Sequence, residues 1–225
     1  MTAPRESTPT LGQLLDRAAA RAPDREAIVF KGERVSYAEL QARVDRFALG
    51  LLTLGLGPGD HVVLWMPNAI EWNVANLAIA KIGAVTVTCN SRYKALEVAY
   101  VLRHSEARAL VLADRFPAAG IDYLAILREI CPEVDRPGGL PGASLPALAT
   151  VIVAGDRVPS GAVAFEAVDG AGRGEAPERL ARIRVDPSGA VEMLYTSGTT
   201  GRPKGCLLSH GAMYEKCRVY VAIHG

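Results

Sequence analysis

The order of apolar and amphipathic segments constrains the fold of this 225-residue chain more than any other sequence feature. Short, almost continuously apolar segments alternate with helix-like segments at residues 61–66, 68–82, 84–89, 94–104, 108–113 and 123–130. Continuous apolar runs of this length are typical of parallel strands that are buried on both faces. Strands that alternate with helices at this spacing predict an α/β fold, a doubly wound and mostly parallel sheet flanked by helices.

Capping signals predict the elements that precede this alternation. Thr10 is in position to cap a helix over 11–22. Residues 27–36 are predicted to form a β-hairpin around Lys31-Gly32, and Ser36 with Glu39 forms a capping box for a long helix. By the same reasoning, Asn68 is expected to cap the helix that follows the first apolar strand.

The second half of the chain carries weaker signals. Residues 132–148 and 155–190 are rich in glycine, proline and charged residues, and both are predicted to be loops. A strand is expected over 149–154, and a short strand over 162–168.

Near the end of the chain, glycine and hydroxyl residues are concentrated in one loop between two apolar stretches. It reads Tyr195-Thr196-Ser197-Gly198-Thr199-Thr200-Gly201-Arg202-Pro203-Lys204-Gly205. We expect Gly198, Gly201 and Gly205 to allow positive φ angles and close approach to a ligand. Consecutive amides in such a turn can form an anion-binding nest, while hydroxyls and Lys204 add donors and positive charge. The loop is therefore predicted to bind a polyanion.

The spacing of this loop differs from that of two other phosphate-binding patterns. A Walker loop has its lysine directly after a glycine, whereas Lys204 follows Pro203. A dinucleotide fingerprint, G-x-G-x-x-G, is absent because two residues separate Gly198 from Gly201.

Together with Leu208-Ser209-His210, the loop closely resembles the phosphate-binding signature of the AMP-forming acyl-CoA synthetases, which are adenylate-forming ligases. The resemblance continues upstream, in residues 35–40, 54–68, 81–85 and 90–93. It implies that the chain folds as an incomplete N-terminal part of that family's fold. On this basis we predict an N-terminal α/β subdomain over 1–190 and, over 191–225, the phosphate loop and the start of a further subdomain.

The resemblance also implies an enzymatic reaction. A carboxylic acid would be activated by ATP to an acyl-adenylate with release of pyrophosphate, and coenzyme A would then take the acyl group as a thioester. The residues implied to hold ATP are Thr196, Ser197, Gly198, Thr199, Thr200, Gly201, Lys204 and Gly205. A hydroxyl of Thr199 or Thr200 is implied to contact Mg²⁺.

Other motifs of the family do not occur in these 225 residues, including its Tyr-Gly-x-Thr-Glu stretch. We therefore expect the catalytic residues beyond Gly225 and expect the chain to be inactive alone. Two alternatives remain open: adenylation for a carrier-protein acceptor, and a non-catalytic truncated fragment that binds nucleotide. His210 is either near ATP or a bystander in a helix capped by Ser209.

Charge and cysteine content limit the classes of partner that we expect. The formal net charge of +1 argues against nucleic-acid binding. The four cysteines show no C-x-x-C pair or metal-ligand spacing, which favours reduced thiols in a cytoplasmic protein. No apolar run approaches the ~20 residues of a membrane span. The expected partners are therefore ATP, coenzyme A and a small carboxylic acid, with the acid and the oligomeric state left open.

Overall fold

The computed structural model describes residues 8–196 and 203–224. Its helices are α1 (Leu11–Arg21), α2 (Tyr37–Thr53), α3 (Ile70–Lys81), α4 (Ala95–His104), α5 (Tyr123–Ile130), α6 (Phe165–Arg173), α7 (Glu178–Ala181) and α8 (His210–His224). Its strands are β1 (Glu26–Phe30), β2 (Glu33–Ser36), β3 (His61–Trp65), β4 (Val85–Thr88), β5 (Ala109–Ala113), β6 (Arg115–Phe116), β7 (Ile121–Asp122), β8 (Thr150–Ala154), β9 (Val163–Ala164), β10 (Ala190–Thr196) and β11 (Lys204–Ser209).

A seven-stranded sheet organises the described residues. Its strand order is β11-β10-β4-β3-β5-β8-β9. All neighbours are parallel except β10 and β11, which pair antiparallel. Two small antiparallel pairs, β1–β2 and β6–β7, lie outside this sheet. The predicted α/β class and mostly parallel sheet are confirmed.

Both faces of the sheet are covered, as the continuous apolar runs predicted. Along β3, Val62 and Leu64 enter a core shared with α1, α2, α3 and α6. Val63 and Trp65 enter a second core with α4 and α5 on the opposite face. Alternate side chains of one strand therefore pack into different cores, so neither face of the strand is turned to solvent.

The short-range signals in the first part of the chain are confirmed. Thr10 and Ser36 each form a complete capping box, at α1 with Gln13 and at α2 with Glu39. The predicted hairpin forms as β1 and β2, in which Phe30 pairs with Glu33. Each of these structures depends on contacts within a few residues.

The prediction for Asn68 is wrong. The N-cap of α3 is Ala69, which has extended backbone angles and no side-chain cap. Asn68 therefore lies one residue too early to reach the free amides of the first turn. The Asn73 amide donates a hydrogen bond of 3.1 Å to the Ala69 carbonyl, which does not cap those amides.

The predicted strand over 162–168 is also largely wrong. Only β9 is extended, and α6 begins directly after it at Phe165. The rest of 155–190 also holds α7, so it is not the continuous loop that composition suggested. Residues 132–148 contain only a 3₁₀ turn, Pro132–Asp135, and one isolated bridge, in agreement with the prediction.

The helical form of α6 depends on its packing against α2. The Phe165 ring stacks on Phe47, with ring centroids 4.1 Å apart. A Cβ added at Gly172 would lie 1.8 Å from the Arg46 carbonyl oxygen, and one at Gly50 would lie 2.0 Å from the Val168 carbonyl oxygen. The two backbones thus approach at a distance that only glycine permits on both helices.

The main sheet continues past residue 190, because β10 pairs with β4. The division of the chain into 1–190 and 191–225 stays a prediction. Within the described residues, no helix is both long enough and apolar enough to cross a membrane.

Candidate functional site

The predicted phosphate loop connects β10 to β11. Because β10 runs parallel to β4, its last residue, Thr196, lies at the carboxyl edge of the sheet. The chain returns along β11, and Thr196 is paired in register with Lys204. Ligands of open α/β sheets bind at this edge, beyond the carboxyl ends of the strands. The two described ends of the loop are therefore held side by side where a ligand is expected.

The side chains of Thr196 and Lys204 are both exposed at the base of the loop. No carboxylate forms an ion pair with Lys204 in the described part of the chain. A hydroxyl and an uncompensated ammonium group next to each other suit a phosphate oxygen, since both can donate to it. Of the predicted nucleotide-binding residues, the structure thus brings these two together.

Several predicted residues lie outside the described part of the chain: Ser197, Gly198, Thr199, Thr200 and Gly201. Their contacts with phosphate stay predictions, as does the contact of Thr199 or Thr200 with Mg²⁺. Among the residues that are described, no group of three or more His, Cys, Asp or Glu side chains could hold a metal ion. All four cysteines, Cys89, Cys131, Cys206 and Cys217, are free.

Gly205 was expected to allow a positive φ angle, and that prediction is wrong. Gly205 lies inside β11 and is not among the glycines with positive φ. A Cβ at this position would lie 2.9 Å from the Met193 sulfur and 3.5 Å from the Tyr195 ring. Glycine at position 205 therefore makes room for side chains of the facing strand, β10, and its role in ATP binding stays a prediction.

The ends of the loop are bonded to α4. The Tyr100 hydroxyl donates to the Pro203 carbonyl at 2.8 Å, and Nδ1 of His104 lies 2.8 Å from the Tyr195 hydroxyl. Burial, reinforced by Tyr100, raises the pKa of Tyr195 to about 12, so its hydroxyl stays protonated at neutral pH. A cleft of about 620 Å³ opens beside these groups, lined by Tyr93, Leu96, Glu97, Tyr100, Val101, Arg103, His104 and Pro203.

Sequence reasoning did not predict these bonds. It predicted a helix-like segment over 94–104 and assigned no contact with the loop to Tyr100 or His104. The available signal was the spacing of Tyr100 and His104, four residues apart on one helix face. That spacing shows which side chains act together but not which distant segment they contact.

His210 is a buried residue at the start of α8, directly after β11. Its Nδ1 accepts a hydrogen bond of 3.2 Å from the backbone amide of Leu11, in the first turn of α1. Burial lowers the pKa of His210. Ser209 accepts a hydrogen bond from the Ala212 amide at 3.2 Å, which confirms the predicted helix cap. In the described residues, His210 thus ties the end of β11 to α1.

Comparison with known proteins shows which family the chain matches. The family described as "AMP-binding enzyme" matches residues 15–224. A mitochondrial medium-chain acyl-CoA ligase from Bos taurus, ACSF2, is 39% identical over 213 residues, which cover 91% of this chain and 34% of that protein. The chain spans about a third of the length of the curated relatives it matches.

Two solved structures show the same fold. The apo structure of MbtA from Mycobacterium smegmatis has a TM-score of 0.73 at 30% identity and matches 92% of this chain and 35% of its own. A fatty acyl CoA synthetase from Mycobacterium tuberculosis has a TM-score of 0.67 at 27% identity, with 89% and 34% matched. The sheet and hairpin described above are thus shared with proteins of about three times the matched length.

Proposed function

Because the chain belongs to the AMP-binding enzyme family, we propose that it supplies the phosphate loop of an enzyme that activates a carboxylic acid with ATP and transfers the acyl group to coenzyme A. In the first step, a carboxylate oxygen bonds to the α-phosphorus of ATP. The bond from that phosphorus to the bridging oxygen breaks, and pyrophosphate leaves. In the second step, the thiol sulfur of coenzyme A bonds to the acyl carbon and loses its proton, the bond from that carbon to the phosphate oxygen breaks, and AMP leaves.

The pairing of Thr196 with Lys204 at the base of the loop is the observation that carries this proposal. Charge develops on the leaving pyrophosphate, and donors that are already in place stabilise that charge without reorganising. Lys204 supplies positive charge and Thr196 supplies a hydroxyl at the two ends of the loop. The remaining donors are the loop residues from Ser197 to Gly201, which we assign to the β- and γ-phosphates on the sequence alone.

The residues present also suit a magnesium ion bound with the nucleotide. Mg²⁺ takes oxygen ligands, usually one or two from the protein together with phosphate oxygens. The exposed Thr196 hydroxyl shows that oxygen donors are available at the base of the loop, and we assign the contact to Thr199 or Thr200. Bound there, Mg²⁺ would neutralise charge on the phosphates.

For the substrate, we propose an aliphatic fatty acid. Two similar proteins carry names of this kind, a medium-chain acyl-CoA ligase and a fatty acyl CoA synthetase. We also propose that the reaction takes place in the cytoplasm, in keeping with the reduced state of the cysteines that their spacing predicts.

Acid-dependent exchange of labelled pyrophosphate into ATP, measured on the whole enzyme that contains this chain, tests the first step. We expect exchange only when an acid is added, with fatty acids of intermediate length above acetate and benzoate. Thioester formation on addition of coenzyme A tests the second step.

Each negative outcome has a distinct meaning. ATP binding with no exchange for any acid would favour a non-catalytic nucleotide-binding protein. Exchange without a coenzyme A thioester would favour another acceptor, such as a carrier protein. Exchange confined to aromatic acids would overturn the proposed substrate class and leave the reaction unchanged.

A further inference from the structure

Two side chains on the same face of α4 contact opposite ends of the phosphate loop. Tyr100 and His104 are one helical turn apart, so they project in the same direction. Tyr100 bonds to the carbonyl of Pro203, the residue directly before Lys204. His104 bonds to the hydroxyl of Tyr195, the residue directly before Thr196. One rigid helix is thus bonded at both ends of a loop whose remaining residues join Thr196 to Pro203.

The three rings involved also contact one another. Tyr100 stacks on His104 with centroids 5.2 Å apart, and Tyr195 meets both edge-on, at 6.2 Å from Tyr100 and 5.6 Å from His104. We call Tyr100, His104 and Tyr195 the aromatic cluster. Ring contacts of this geometry add stabilisation beyond the burial of their area. Hence the two hydrogen bonds are held by a packed unit and not by isolated side chains.

Pro203 needs such a contact because of its chemistry. The hydrogen bonds between β10 and β11 align the chain as far as the pair Thr196 and Lys204. Proline has no N–H, so the strand pairing cannot be extended through a donor at position 203. Its carbonyl remains available, and the Tyr100 hydroxyl donates to it. This bond fixes the backbone one residue beyond the last strand pair, directly before Lys204.

We propose that Tyr100 and His104 are positioning residues for nucleotide binding: from α4 they hold both ends of the phosphate loop and so set the affinity for ATP through Thr196 and Lys204. This inference rests on the proposed function for its ligand. The hydrogen bonds that carry it belong to the protein alone, so they can be tested separately.

The first test compares Tyr100→Phe with Tyr123→Phe. The control is matched, because Tyr123 also donates its hydroxyl to a backbone carbonyl, that of Ser91 at 2.9 Å, and this bond involves neither β10 nor β11. Hydrogen exchange is followed in peptides from β10 and β11, and ATP affinity is measured on the same proteins. We expect Tyr100→Phe to speed exchange in these strands and to weaken ATP binding roughly two- to tenfold, the usual range for one hydrogen bond. Tyr123→Phe should change neither.

The second test uses position 104. His104→Leu removes the group that bonds to Tyr195, whereas His104→Asn keeps a polar atom close to the place of Nδ1. We expect His104→Leu to weaken ATP binding and His104→Asn to restore most of it. A purely structural role would not produce this recovery, since both variants remove the imidazole ring from the cluster.

The outcomes separate the two proposals. Unchanged hydrogen exchange in β10 and β11 of Tyr100→Phe and His104→Leu would overturn the positioning role, whatever the ATP affinity. Faster exchange with unchanged ATP affinity would also overturn it. If the wild-type protein does not bind ATP, the proposed function fails, and the exchange data still decide whether these side chains hold the loop.

Discussion

The molecule contains two antiparallel hairpins that differ in how their strands are joined. In β1–β2, Phe30 pairs with Glu33, and the turn consists only of Lys31 and Gly32. Their φ angles of 50° and 88° are both positive, as a tight type I′ turn requires. In β10–β11, Thr196 pairs with Lys204, and seven residues lie between them. The second connection is therefore much longer than closing a hairpin requires.

The lysines of the two hairpins differ in the same way. Lys31 lies over the Phe30 ring, with its ammonium nitrogen 5.2 Å from the ring centroid. Lys204 has no ion pair within the described residues and faces solvent beside Thr196. In the first hairpin the lysine contacts a ring of the same hairpin. In the second hairpin the ammonium group of Lys204 remains exposed and can donate to a ligand. Loop length and the absence of an ion pair on Lys204 within the described residues thus distinguish the hairpin that we propose to bind phosphate from the other one, although the strand pairing is alike.

The largest expected effect is the loss of the second lysine. Lys204→Ala should reduce acid-dependent ATP–pyrophosphate exchange by about 10²- to 10³-fold, because a donor already in place for the leaving pyrophosphate is worth about 2.7–4 kcal/mol. Lys31→Ala is the matched control, since it removes an exposed lysine from the other hairpin. Its exchange rate should equal that of the wild type. Equal rates for both variants would show that the two hairpins do not differ in function.

A change in the core can separate stability from binding. Gly172→Ala places a Cβ 1.8 Å from the Arg46 carbonyl oxygen, so α2 and α6 must move apart. We expect the free energy of unfolding to fall by about 1–3 kcal/mol, as for other overpacked cores. ATP affinity should stay unchanged while the protein is folded, because Gly172 packs against α2 and not against the phosphate loop.

Gly170→Ala is the control on the same helix, since a Cβ at that position meets no atom within 4 Å. Urea unfolding of the three proteins measures both effects, and Gly170→Ala should be as stable as the wild type or slightly more stable. Equal stability of Gly172→Ala would contradict the close approach of the helices. A loss of ATP affinity in Gly172→Ala would instead show that the site depends on this core.

The second hairpin also leads into a group whose pKa changes on folding, because β11 is followed directly by His210. Burial lowers the pKa of His210 below the value of 6.5 that applies in the unfolded chain. As the pH falls through 6.5, the unfolded chain takes up a proton that the folded protein resists. Stability from this group is therefore complete above that pH and is lost below it, by at most about 1.4 kcal/mol per pH unit.

Urea unfolding between about pH 5 and pH 7.5 checks this sign. His210→Asn keeps an acceptor for the Leu11 amide but cannot take up a proton in this range. We expect its stability to change less with pH than that of the wild type. Parallel curves for the two proteins would show that His210 does not titrate differently on folding.

The smallest effect is expected in the turn of the first hairpin. Gly32→Ala puts a Cβ at a φ of 88°, which costs an L-residue about 1 kcal/mol. Urea unfolding should show that loss, and ATP affinity should not change. An altered ATP affinity would mean that the conformation of the β1–β2 turn affects the predicted phosphate loop.

Sequence signals that involve neighbouring residues predicted the corresponding helix ends and turns correctly in most cases. The capping boxes at Thr10 and Ser36 and the hairpin at Lys31-Gly32 each involve groups within a few residues, and all three form. The continuous apolar runs predicted strands buried on both faces, which the two cores confirm. Asn68 shows how narrow such signals are, because a shift of one residue removed its capping role.

Helix α6 was not predicted, because its helical form depends on contacts with α2 and not on a local signal. Its sequence, Phe165–Arg173, contains two glycines, which weaken a helix in isolation. From the sequence alone, Phe165–Arg173 is therefore predicted to be a loop or a strand, because the contacts with α2 are not visible there. Gly172 then permits the close packing that makes the helix stable in this protein.

The sequence by itself determined the alternation of strands and helices, the ends of most early elements and the residue types of the predicted phosphate loop. These follow from apolar periodicity, capping and residue type, all of which act locally along the chain. Only the tertiary structure decided that Thr196 faces Lys204 across the hairpin and that α4 holds both ends of the loop. The bond from Tyr100 to Pro203 joins residues 103 positions apart. Their proximity depends on the order of strands in the sheet, which no local pattern encodes.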